Sequence, residues 1–61
     1  MTARDTIRTA ARMLRQEADC LQRAHTINGK WDPADDFERE ARQSCKEMRS
    51  IAAKLTRIAN R

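Results

Sequence analysis

The only glycine and the only proline of this 61-residue chain, Gly29 and Pro33, stand four positions apart near its middle. On either side the chain lacks the two residue types that most readily interrupt helices. The segment HTINGKWDP, residues 25–33, also holds the sole His25 and Trp31. Such a distribution permits one break between two long arms, and it poses a question: is this segment a corner or a binding site?

Both arms carry helical spacing. The first starts at Thr2, whose hydroxyl can cap a helix while Asp5 stands three residues on, a variant of the capping box. Beyond it Ile7, Ala11, Leu14, Ala18, Leu21 and His25 recur at alternating steps of four and three, the seam of a coiled coil. Met13, Cys20 and Ile27 form a second apolar line further round, with Ala10 and Ala24 between the two. In the second arm Asp32 is the expected N-cap, with Pro33 at the first helical position and Asp35 three residues after the cap. Its apolar line runs through Ala34, Phe37, Ala41, Ser44, Met48, Ile51, Leu55 and Ile58, widened on one side by Cys45, Ala52 and Ala59.

The expected fold is therefore all-α, a single antiparallel two-helix hairpin: helix about 3–27, turn about 28–32, helix about 33–59, with arms roughly 40 Å long at 1.5 Å per residue. A chain this short buries little surface by itself, and each arm shows more apolar arc than one partner helix can cover. Association into a four-helix or larger bundle follows, a homodimer at the simplest. The interface residues expected from the pattern are Ile7, Met13, Leu14, Leu21, Phe37, Met48, Ile51, Leu55 and Ile58.

The central segment reads first as a corner. Gly29 suits the left-handed residue that ends a helix, Asn28 tolerates similar geometry, and His25, when protonated, complements the negative end of the helix dipole. Trp31 is placed to fold over Leu21 and Phe37 as a lid. A ligand contact by His25 and Trp31 at the hairpin tip is the alternative.

Charge is unevenly spread. With the turn near residues 29 and 30, residues 1–15 lie beside 46–61, and that open end holds nine Lys and Arg against two acids, a balance of +7. The turn end holds four against seven, a balance of −3, and the two account for the net +4. Acids at the start of the second helix and bases at its end suit the macrodipole, but four arginines at the start of the first do not. Two roles remain for them. An antiparallel dimer brings opposite ends together, and Arg4, Arg8, Arg12 and Arg15 along one face offer bidentate donors to an anionic ligand or nucleic acid. Two aromatic residues leave little scope for base stacking.

No catalytic constellation stands out: there is one histidine, no defensible Ser-His-acid set and no glycine-rich phosphate loop. The expectation is a non-enzyme with no catalytic residues, cofactor or metal site. Cys20 and His25 stand five residues apart without further ligands at suitable spacing. A Cys20–Cys45 bridge within the hairpin is offset by roughly 8 Å along the axis, too far for a disulfide, although one between protomers stays open. Two cysteines are too few for a secreted disulfide scaffold and suit reduced thiols in a cytoplasmic protein. The arginine-rich opening MTARDTIRTAARMLR has the look of a transit or membrane-surface helix, but the heptad pattern continues unbroken past it. No apolar run approaches the roughly 20 residues of a membrane span, so no membrane partner is expected.

The run AARMLRQEADCLQRAHTINGKWD, followed by a second amphipathic helix, resembles the small hairpin proteins of bacteriophage and prophage genomes. The residues carrying that likeness are Leu14, Ala18, Leu21, His25, Thr26, Gly29, Trp31, Leu55, Ile58 and Ala59. It implies a phage accessory or anti-defence factor that binds a host protein or an anionic ligand. In architecture alone the chain is similar to the plasmid regulator Rop, which implies a nucleic-acid-binding regulator as second reading. A structural assembly subunit is the third.

Overall fold

The computed structural model describes residues 2–61, which form two helices, α1 (Ala3–His25) and α2 (Asp36–Ala59), packed against each other along their whole length. The molecule is a rod of 43 × 15 × 14 Å. A helix with its side chains is about 10–12 Å across, so a rod this thin holds no third layer.

The capping box at the start of α1 is present as expected. Asp5 N–H donates to Thr2 Oγ1 at 3.1 Å, and Thr2 N–H donates to Asp5 Oδ2 at 3.2 Å. Those Thr2 bonds, backbone first, pull the Asp5 carboxyl below its ordinary range, and the nearby Arg8 charge adds to the effect. At its other end α1 stops at His25, two residues earlier than expected, because Thr26 turns extended and bonds Gln22 O through both its N–H and its hydroxyl.

The connection differs from the expected helix-ending glycine. Asn28 and Gly29 both have positive φ, 52° and 77°, and Ile27 and Lys30 exchange two backbone hydrogen bonds of 3.0 and 3.1 Å around them. This is a miniature β-hairpin. Asn-Gly is the pair that favours such a two-residue reversal, since both central positions need the left-handed conformation. A correction also applies at the start of α2, where Asp35, not Asp32, is the N-cap, accepting from Phe37 N–H and Glu38 N–H. Asp32 and Pro33 instead open a tight turn, with Asp32 Oδ1 accepting from Ala34 N–H and Asp32 O from Asp35 N–H. Proline suits the second position of a turn as well as the first of a helix, and here the turn prevails.

Those shifts change the register. Cys45 lies opposite Ala18 and Glu38 opposite His25, about three positions beyond a pairing centred on residues 29 and 30. Cys20 and Cys45 are separated by direction: Cys45 is buried in the seam while Cys20 is exposed, and both are free thiols.

The core consists of Ala11 and Ala18 from α1 with Ala41, Cys45, Ala52 and Ala59 from α2. On α1 this is the expected seam. On α2 it reverses the expectation, because Cys45, Ala52 and Ala59, read as the margin of the stripe, form its centre, while Phe37, Ser44, Ile51 and Ile58 turn outward. Size decides between them. Only small side chains let α2 come close enough for the Cys45 thiol to donate to the backbone Ala18 O at 3.3 Å.

Candidate binding surfaces

Successive helical residues are 100° apart, so neighbours such as Leu14 and Arg15, or Met48 and Arg49, fall on opposite flanks of the seam. On one flank the helices are joined by side-chain hydrogen bonds. Arg49 donates to Asp19 Oδ1 at 2.8 Å and to Gln22 Oε1 at 2.7 Å, Arg15 to Thr56 Oγ1 at 3.0 Å, and Arg8 to Asn60 Oδ1 at 3.0 Å. Arg4 reaches the backbone carbonyl of Arg61 at 3.0 Å.

This network explains the arginines that the dipole of α1 disfavours. In an antiparallel pair the first turns of α1 lie beside the last turns of α2, whose carbonyl end attracts cations. Of the four expected anion-binding residues, Arg4, Arg8 and Arg15 thus share this flank, and Arg12 is exposed further round. Arg8 and Arg15 bond the side-chain amide of Asn60 and the hydroxyl of Thr56, neither of which carries charge. Arg15 is therefore held in place without a carboxylate on it, while Arg8 also feels the nearby Asp5 carboxylate.

The opposite flank carries the apolar residues. Since Arg15 meets Thr56 and Arg49 meets Gln22 across the seam, Leu14 and Leu21 must share the other side with Met48 and Leu55. Ile51 and Ile58 lie beyond Leu55 on that side, and Phe37 near its turn end. Ile7, Leu14, Leu21, Met48 and Leu55 are half-buried at the rim of the seam. Further out, Met13 is 60% exposed, Phe37 78%, Ile51 47% and Ile58 49%. Met13 stands well round α1 from the seam, away from α2.

At the turn end His25 and Trp31 do come together. Their rings stack with centroids 6.5 Å apart and planes 15° from parallel, and His25 Nδ1 lies 3.2 Å from Glu38 Oε1. Trp31 covers His25, not Phe37, and the expected lid on Leu21 and Phe37 is replaced by this stack; Phe37 lies in solvent because α2 starts late and turned. Glu38 is the residue the pattern missed. It occupies a seam position, three residues before Ala41 and seven before Cys45, where an apolar residue was the rule, and only its pairing with His25 makes it intelligible. The depression beside it, about 320 Å³, is lined largely by charged groups, among them Lys30, Asp32, Asp35 and Glu38. Ligand pockets are generally apolar and enclosed, so this lining argues for a corner.

Among the described residues no group of three or more His, Cys, Asp or Glu side chains could hold a metal ion, and no helix is long and apolar enough to cross a membrane. No family model, no curated protein and no solved structure matches this chain. These comparisons therefore lend no support to a likeness to phage hairpins or to Rop.

Proposed function

We propose that this chain is a non-enzymatic binding protein that works as a self-associated hairpin, two copies closing their apolar flanks into a four-helix bundle. One observation carries the reading: among the described residues no fully buried side chain is larger than that of Cys45, while Leu14, Leu21, Met48, Ile51, Leu55 and Ile58 gather on one flank. A buried leucine-sized side chain contributes about 1.5–3 kcal/mol, and the isolated hairpin forgoes much of this at each of them. Sedimentation over a wide concentration range tests it. A dimer or larger species that Ile51→Glu converts to monomer is the expected outcome, and a folded wild-type monomer at every concentration would sink the reading.

A second reading concerns what the assembly binds. The uncharged acceptors of Arg8 and Arg15 favour an anionic ligand on the hydrogen-bonded flank, as in a regulator of nucleic acid. Affinity for a duplex oligonucleotide should then fall steeply between low and moderate salt, with a shallower slope in Arg8→Ala/Arg12→Ala; no retention at low salt removes it. A phage accessory or anti-defence role, acting on a host protein, rests on the resemblance alone, and a stoichiometric partner recovered from host lysate would support it.

A further inference from the structure

The outward line of α2 consists of Phe37, Ser44, Ile51 and Ile58, each seven residues from the next. Its spacing is the same read in either direction. From this line and the charges beside it we infer that the partner on the apolar flank is a second copy of this chain, packed with α2 antiparallel to α2 of its twin about a twofold axis between Glu47 and Met48. The inference rests on the self-association reading and adds to it an orientation and a register.

About that axis Phe37 meets Ile58 of the twin and Ser44 meets Ile51, so that a small side chain faces a branched one at each inner layer. Isologous interfaces require such self-complementarity. Charges beside the line decide between the two directions. Glu40, Glu47 and Lys54 are exposed and flank it at the same heptad interval. In the antiparallel pair Glu40 comes within one residue, about 1.5 Å along the axis, of the level of Lys54 of the twin, twice over, and only Glu47 comes beside its own kind. In a parallel pair this flank faces the opposite flank of the twin, so Glu40 and Lys54 do not meet, and the like-charged ends of the two copies coincide, which selects against that arrangement. The ends agree, since the −3 turn end of one copy overlies the +7 open end of the other.

Cysteine cross-linking reads the register directly. In a Cys20→Ser background, Ser44→Cys and Ile51→Cys are placed in separate chains of different mass. Each variant alone sets its thiols seven residues apart along the axis, about 10 Å, beyond disulfide reach. Mixed chains bring position 44 against 51. The expected result is a mixed-mass disulfide dimer forming at least about tenfold faster than either homodimer. Rapid linkage in Ser44→Cys alone would overturn the antiparallel register, as would a sedimenting dimer that links in no combination. Monomer throughout would instead defeat self-association itself, so the two failures are told apart. As a second measure Glu40→Lys and Lys54→Glu should each weaken the dimer about three- to tenfold, and the double swap should restore it. Additive weakening in the double variant would also overturn the register.

Discussion

Met48 and Arg49 are neighbours in α2, yet they point to opposite flanks of one hairpin and meet different surroundings. Arg49 completes a network with Asp19 and Gln22 on a flank that is already joined across the helices. Met48 lies half-buried on a flank where apolar side chains face outward with nothing above them. The contrast teaches how a very short chain divides its labour. Directional hydrogen bonds on one side hold the helices in register, whereas the non-directional hydrophobic term is left largely unspent on the other and is available to a partner.

The largest effect on this division should come from the seam that separates the flanks. Ala18→Leu places a bulky side chain where the residue is wholly buried and α2 is in contact, forcing both flanks apart. A loss of about 2–3 kcal/mol is expected, read from urea unfolding, with association disturbed as well. Next, Met48→Ala should cost about 1–2 kcal/mol and do so in a concentration-dependent way, because the lost area lies partly between copies. Arg49→Ala should cost less, about 0.5–1 kcal/mol, with the same value at every protein concentration; its side chain and that of Asp19 are 42% and 61% exposed, and solvent screens the pair. Equal concentration dependence in both variants would erase the distinction between the flanks.

The smallest effect is at the start of α1. Because the Asp5 carboxyl titrates below its ordinary range in the folded chain, its contribution is complete above about pH 4 and fades as pH falls through the lowered folded value. Circular dichroism should show a slight loss of helicity at low pH that Asp5→Asn lacks. A loss of equal size in that variant would assign the effect to other carboxylates.

Much of this architecture was legible beforehand in particular residues. Thr2 and Asp5 announced a cap, Ala11 and Ala18 announced the seam of α1, and the lone Gly29 and Pro33 announced a single reversal. The face that α2 turns inward was harder to read. Its two apolar lines share the seven-residue interval, and Ile51 and Phe37 outweigh Ala52 and Cys45 on any hydropathy scale. Distance of approach, not greasiness, settles which line goes inside, and a hydropathy pattern does not encode it. The start of α2 was ambiguous for a different reason: Asp32 and Asp35 are both competent caps, and Pro33 fits either arrangement. Asn28-Gly29 did carry a readable signal, the strongest short hairpin pair known, but helices on both sides disguised it. On the candidate surfaces, the arginine spacing grouped Arg4, Arg8, Arg12 and Arg15 on one face, of which Arg12 lies further round, and the acceptors Thr56 and Asn60 depended on a register visible only in three dimensions.

Cys45 has a chemical consequence of its own. Its sulfur is shut between the helices, whereas Cys20 of the same molecule lies open to any reagent. A maleimide or a disulfide dye will therefore titrate the outer thiol at once and reach the inner one only when the two arms part. The delay between the two labelling events is a built-in clock for how often the hairpin breathes.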